Sequence, residues 1–298
     1  MDNCQTATAI VSPAKINIGL RVVGRRPNGY HELESLFWPL NVCDTLYVRP
    51  APQFSLDTSW SDSVPSEHRH PLPPSEANLV SKAVAKLKQD PNFEIVLSKS
   101  IPMGGGMGGG SSNAGSYLKE MIKRGVISKA EALGVAIQLG ADVPFFLESR
   151  PSWVTGIGEV VTPIKLDPQV LNGIYFLLLL LPTGTPTVEV FQRFRGWGRF
   201  SERQSPPPEI RLRSELWDYF AQSQNDLEPA AISINPLISK ALNALRQTPS
   251  RLVAMSGSGS TCFAVFENEA ARQESDKALR QFCRQFQCRT LKAETYVA

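Results

Sequence analysis

Histidine is scarce in this 298-residue chain, with three in all, and the five cysteines, at 4, 43, 262, 283 and 288, form no Cys-x-x-Cys pair. Structural zinc sites draw on paired cysteines and histidines, so that class is excluded, and an odd, unpaired cysteine set reads as reduced thiols. His68 and His70 make one His-x-His pair, but it sits in a proline-rich stretch without further ligand spacing and reads as solvated. Long apolar runs are missing as well. The longest, residues 174–181, falls well short of the about 20 residues a bilayer requires and reads as a buried strand. No basic segment followed by an apolar one opens the sequence, so no targeting peptide or membrane span is expected and the cytoplasm is the expected location.

An excess of charge of one sign is also lacking: 31 Lys and Arg against 28 Asp and Glu leave +3, scattered along the chain. That argues against a dedicated nucleic-acid binder. Arginines and aromatics do interleave at Arg193, Phe194, Arg195, Trp197, Arg199, Phe200 and Arg203. No RNA-binding motif accompanies them and the proline-rich residues 205–208 follow, so a surface segment is the plainer reading. A Walker A lysine is absent too, which excludes that phosphate loop.

What is present instead is glycine, concentrated at one place. Residues 99–114 read KSIPMGGGMGGGSSNA, with six glycines in seven positions. Glycine lacks Cβ, so its backbone turns through positive φ and brings successive N–H groups up to an anion. A strand-like run, residues 93–98, precedes the loop. Ser111, Ser112 and Asn113 follow as helix N-cap residues opening a helix over 114–124 that Gly125 closes. A glycine loop running into a helix N-terminus suits a di- or triphosphate. A flexible linker would mix glycine and serine over a longer stretch and cap no helix. Gly104, Gly106 and Gly109 also fit the dinucleotide pattern GxGxxG, weakly, since nearly any spacing is met when almost every residue is glycine.

The remaining pattern predicts an α+β protein of about two domains. Strands are expected at 8–11, 15–23, 31–41 and 45–49, with turns at 26–29 and 41–44. Residues 57–76 read as an exposed loop, and helices are expected at 78–88 and at 129–138, the latter opened by a Ser128/Glu131 capping box. Strands at 153–163 and 174–181, helices at 187–194, 215–222 and 236–246, and a hairpin of 251–256 with 261–266 follow. A helix over 269–286 and a strand near 290–297 end the pattern.

Two charged residues stand out against this background. In the strand from Lys15, Ile16, Ile18 and Leu20 share one face and Lys15, Asn17 and Gly19 the other. Lys15 either snorkels at the sheet edge or aims its charge at phosphate or an acid beside it. Asp142 sits in the small, apolar stretch LGADVPFF, directly after a helix. It either caps a following short helix or, paired with Lys15, stays ionised and accepts a proton from a substrate hydroxyl.

Three segments together, PAKIN at 13–17, the glycine loop at 102–112 and SGSGS at 256–260, resemble the three motifs of the GHMP kinases. Gly29-Tyr30-His31, Asp44-Thr45, residues 139–145, Gly156-Ile157-Gly158-Glu159 and Asn225-Asp226-Leu227-Glu228 are similar to the branch acting on a cytidine diphosphate-linked methylerythritol. The resemblance runs from about Thr8 to the C-terminus. It implies a two-domain α+β fold with a central cleft: residues 1–165 as an ATP-binding, ribosomal-protein-like sandwich, and 166–298 as a ferredoxin-like domain whose last strand has room to return to the first.

The same resemblance implies ATP-dependent phosphorylation of the C2 hydroxyl of that small-molecule substrate in non-mevalonate isoprenoid synthesis, with Mg²⁺ and without nucleic acid or membrane partners. It makes Asp142 the base and Lys15 its orienting partner at the γ-phosphoryl. Pro102, Met103, Gly104, Gly105, Gly106, Met107, Gly108, Gly109, Gly110, Ser111 and Ser112 would wrap the ATP phosphates, the Ser112 hydroxyl reaching phosphate or Mg²⁺. Asn78 and Lys99 would lie near the adenosine. Tyr30 and Phe191 would stack on the cytosine, His31 would hydrogen-bond its edge, and Asn17 would sit near the methylerythritol. A homoserine or mevalonate type of GHMP kinase, or a silent nucleotide-binding regulator, are the alternatives. Gly115, inside the helix after the glycine loop, and residues 196–213 fit no part of this pattern.

Overall fold

Strand patterning and the glycine turns organise the chain into two sheets. A computed structural model describes residues 7–87, 92–197, 199–207 and 209–297; Cys4 and the segment ends at 88 and 208 fall outside them. The first sheet holds β1 (Thr8–Arg25), β2 (His31–Pro50), β3 (Ser55–Trp60), β4 (Phe93–Lys99), β5 (Ser152–Gly156) and β6 (Val160–Pro163), in the order β3-β4-β2-β5-β6 with β1 also paired to β2. The second holds β7 (Tyr175–Leu180), β8 (Leu252–Met255), β9 (Cys262–Phe266) and β10 (Arg289–Glu294), in the antiparallel order β10-β7-β9-β8.

β2 is long enough to seat two neighbours in succession on one edge, β5 along Leu33–Phe37 and β4 along Thr45–Pro50, while β1 runs along the other. The turn expected at 41–44 is therefore a bulge: the partner of Pro13 is Cys43 and that of Ala14 is Leu40. The backbone stays in the sheet there, and the buried Asp44 carboxylate accepts hydrogen bonds from the N–H groups of Ser100 (2.7 Å) and Ile101 (2.8 Å). Part of the loop expected at 57–76 is also sheet, since β3 pairs parallel to β4. The capping box appears as expected, on a helix over Lys129–Leu139.

Helices Leu79–Val84, Gly109–Lys123 and Lys129–Leu139 cover one face of the first sheet, packing Tyr117, Leu118 and Met121 on Leu46, Ile95 and Leu97. Helices Thr187–Arg195, Leu237–Arg246 and the unforeseen Glu228–Ile234 cover the second. The helix expected at 269–286 divides at Leu279 into Glu269–Ala278 and Arg280–Phe286.

A third apolar cluster joins the sheets, with Ile16, Ile18, Leu36 and Trp38 of the first packed with Phe176, Leu178 and Phe263 of the second and with Phe220. β10 stays in the second sheet. Its end reaches back to the first sheet: Glu294 N–H donates to Asn41 Oδ1 (2.8 Å), Thr295 bridges antiparallel to Leu40, and Tyr296 N–H donates to the Pro39 carbonyl (3.0 Å). Among the described residues no helix is long and apolar enough to cross a membrane.

Candidate active site

The site is built on the edge of β1 that β2 leaves free. An unpaired strand edge presents N–H groups that must find acceptors when buried. Here the motif loops supply them: Lys15 N–H donates to the Met107 carbonyl (3.0 Å), Asn17 N–H to Ser256 Oγ (3.1 Å), Leu20 N–H to the Gln224 carbonyl (2.8 Å) and Val22 N–H to Asp226 Oδ2 (2.8 Å). Segments distant in sequence thus meet along one strand. Asn225 completes the joint, its amide donating to the carbonyls of Met255 and Gly257, both at 2.8 Å, which fixes the SGSGS turn.

The glycine loop encloses a cavity of about 280 Å³. Pro102 to Gly110 line it, with Asn78, Lys99, Asn113, Leu72 and Leu79. The N-cap of the following helix is Gly108 (φ +73), so the helix begins at Gly109 and Ser111, Ser112 and Asn113 fall inside its first turns instead of capping it. A Cβ on Gly108 would lie 2.9 Å from the Phe146 ring and 3.2 Å from Lys15 Cγ, so this position needs glycine for both its φ and its space. The structure turns Ser112 away from the cavity: it is fully buried and its hydroxyl donates to the Pro13 carbonyl at 2.6 Å. That bond occupies the proton a phosphate would accept, and full burial keeps the hydroxyl oxygen from a metal in the cavity. Asn78 caps its helix by accepting from Val80 N–H (2.9 Å). Lys99 ion-pairs with Asp44 and donates to Asn113 Oδ1 (3.0 Å). Asp44 was a sequence match without a role, and its function as the buried anchor of Lys99 and of the loop entry emerges only in three dimensions.

Lys15 and Asp142 meet at 3.2 Å, the lysine side chain 5% exposed and the aspartate 33%. Lys15 Nζ also donates to Asn17 Oδ1 (2.8 Å) and lies 4.4 Å from the Phe37 ring centroid. Asn17 is held in turn through Ser35, which accepts from its amide (2.9 Å) and donates to the Gly19 carbonyl (2.6 Å). Asp142 caps no helix; the short turn Pro144–Leu147 begins without a side-chain cap. Gly115 now has its reason. A Cβ there would sit 2.5 Å from Phe146 Cβ, so the glycine lets the loop helix press against the segment that carries Asp142.

On the other side, Tyr30, His31, Leu33, Ile157, Val188, Phe191, Arg25 and Arg195 line a second cavity of about 540 Å³. Lys15 borders the glycine loop, where a Cβ on Gly108 would lie 3.2 Å from its Cγ, and Ala141, beside Asp142, borders Gly158, where a Cβ would lie 3.0 Å from its own. His31 and Phe191 stack with centroids 5.0 Å apart and planes 21° apart, while Tyr30 is 60% exposed. His31 Nε2 is buried and without a hydrogen-bond partner. Burial, with the charges of Arg25 and Arg195, holds its pKa below the ordinary 6.5. Of the interleaved arginines, Arg203 is bound to Glu32 and lies 3.7 Å from Glu34, strapping this segment to β2.

Comparison with known proteins places this arrangement. The model of the GHMP kinases N terminal domain matches residues 78–150 and that of GHMP kinases C terminal matches residues 211–286. A 4-diphosphocytidyl-2-C-methyl-D-erythritol kinase of Cereibacter sphaeroides is 36% identical over 282 residues, 92% of this chain and 94% of the relative. One of Agrobacterium fabrum is 32% identical, covering 93% of each. A crystal structure of 4-(cytidine 5'-diphospho)-2C-methyl-D-erythritol kinase superposes with a TM-score of 0.74 at 29% identity, covering 98% of this chain and 100% of that one. The homoserine kinase of Cytophaga hutchinsonii shares the fold, with a TM-score of 0.65 at 16% identity over 99% of this chain and 96% of its own.

Proposed function

This chain belongs to the GHMP kinases, among the 4-diphosphocytidyl-2-C-methyl-D-erythritol kinases, and from that premise we propose that its cleft phosphorylates the C2 hydroxyl of that substrate with ATP, through Lys15 and Asp142. The observation that carries the assignment of residues is the 3.2 Å pair of the buried Lys15 with the partly exposed Asp142, on a strand whose Lys15 N–H is bound to the glycine loop at the Met107 carbonyl. Phosphoryl transfer asks a protein mainly for positioning and charge neutralisation. The glycine loop offers backbone N–H groups to the phosphates, and Gly109 and Gly110 add the unpaired first turn of the helix. Lys99 and Asn78 line the nucleotide end.

At the other end, Tyr30, His31 and Phe191 line the space this reading gives to the pyrimidine, with Tyr30 on its rim and the His31 ring stacked on Phe191. The substrate's methylerythritol then lies toward Asn17 and Asp142. Asp142 accepts the hydroxyl proton late, as the oxygen attacks the γ-phosphorus in line. Lys15 holds the carboxylate in place and faces the transferring group.

Among the described residues no three His, Cys, Asp or Glu side chains gather as a metal site. The residues present fit Mg²⁺ arriving on the ATP phosphates, since Mg²⁺ is commonly held by substrate phosphates, which leaves the partly exposed Asp142 carboxylate to the proton. Mg²⁺ held there would neutralise phosphate charge. The same reading divides the chain near 165/166, between β6 and β7, and takes the cytoplasm as its location.

The test is a mass-spectrometric product assay with MgATP and the cytidylyl substrate, beside mevalonate and homoserine. A phosphorylated cytidylyl product alone is expected. Phosphorylation only of mevalonate or homoserine would overturn the aromatic site, and ATP binding without turnover would overturn the catalytic pair.

A further inference from the structure

The last helix ends so as to bring two cysteines together. Arg280–Phe286 stops at Gln287, which is left-handed at φ +52, and the Cys288 N–H donates to the Cys283 carbonyl at 3.1 Å. A six-to-one bond across a left-handed residue is the Schellman stop, which sets the side chains at its two ends against each other. Those ends are Cys283 and Cys288, both free. We propose that Cys283 and Cys288 form a dithiol modification site, closed to a disulfide by an oxidant of the peroxide class, reopened by a thiol reductant, and felt at the nucleotide loop.

The roles of the two sulfurs follow from their surroundings. Cys283 is half-buried and reachable, while Cys288 is 8% exposed. The neighbouring Cys288 thiol holds the Cys283 thiol below its ordinary value, against burial and the nearby Asp276; the same neighbour and burial push Cys288 up. The Cys283 thiolate therefore attacks one peroxide oxygen, the O–O bond breaks, and the departing hydroxide takes up the thiol's proton as water, leaving a sulfenic acid. The Cys288 sulfur then displaces the sulfenic hydroxyl, which leaves with the Cys288 proton as a second water. Two thiols lose two electrons and two protons, and one peroxide is reduced to two waters.

Position gives the site its consequence. Cys288 lines a cavity of about 420 Å³ that Pro102 and Met103 also line, and these two residues also line the nucleotide cavity. Drawing Cys288 into a disulfide moves the floor on which the loop entry rests. This coupling rests on the nucleotide reading above, whereas disulfide formation does not.

The test treats the reduced full-length protein with hydrogen peroxide, alkylates free thiols and digests with trypsin. Arg284 lies between the cysteines, so cleavage leaves two peptides joined only by the disulfide. Expected are those joined peptides, the loss of two alkylation sites, reversal by dithiothreitol, and none of this in Cys283→Ser or in Cys288→Ala; should the buried Cys288→Ala unfold, Cys283→Ser carries the comparison. Calorimetric titration with MgATP is expected to show Kd changed about fivefold on oxidation of the wild type and unchanged in peroxide-treated Cys283→Ser. Cysteines that stay alkylatable, or that end as sulfinic acids, overturn the dithiol. A disulfide with unchanged Kd overturns the coupling. Reduced protein that binds no MgATP overturns the nucleotide reading and leaves the peptide result standing.

Discussion

An ammonium as buried as that of Lys15 is costly unless paired, and it has a carboxylate, an amide oxygen and an aromatic face around it. Removing either member of the pair deprives the reacting hydroxyl of orientation and of a proton acceptor. Asp142→Asn and Lys15→Met are each expected to lower kcat by at least about 10²-fold in steady-state assays of folded protein, the scale of general acid–base effects. Near wild-type turnover in folded Asp142→Asn would refute the base. His31 carries a second prediction. Its folded pKa lies below 6.5, so on acidification the unfolded chain binds the proton first and stability falls as pH drops through that value. Melting temperatures followed from about pH 8 to about pH 5 should therefore decline less in His31→Phe than in wild type; equal slopes would mean that His31 titrates alike in both states.

At the scale of elements, catalysis depends on how closely the helix Gly109–Lys123 lies on the segment bearing Asp142. Gly115 sets that distance. Gly115→Ala inserts a methyl where 2.5 Å is available. It should cost about 1–3 kcal/mol of stability as an overpacked contact. By shifting Asp142 it should also lower kcat about tenfold or more. Denaturant unfolding and kinetics on the same sample check both, and a variant with lost stability but intact kcat would show that Asp142 does not ride on this contact. Elements were also where local turn and capping chemistry misled. The stretch 41–44 has turn residues, yet Asp44 is bound by the loop entry and the backbone continues as a bulged strand. Ser111 to Asn113 have capping chemistry, yet Gly108 takes the cap because only glycine fits between Phe146 and Lys15 at that φ.

Across the whole molecule, the cluster between the sheets ties both halves together, with Trp38 of β2 edge-on to Phe220 at 5.5 Å. Phe220→Ala should destabilise the protein by about 3–5 kcal/mol, the usual cost of emptying a buried aromatic site. Calorimetry should still show one transition; two resolved transitions would show that the halves melt independently. The glycine loop, the Lys15–Asn17 alternation, the capping box and the apolar β7 were legible in the sequence by itself, because each is a local pattern of backbone freedom or side-chain period. So was the phosphate chemistry, since a run of glycines before a helix has few other physical uses. Tertiary structure alone decided that the free edge of β1 is where the motifs converge, that Asp142 faces Lys15 instead of capping a helix, that Ser112 points inward, and that Asp44 and Asn225 hold the loops. The reason is the same in each case: these are contacts between residues as many as 239 positions apart, Asn17 with Ser256 among them, and no local pattern encodes which buried N–H will meet which carbonyl once two sheets close on a common core.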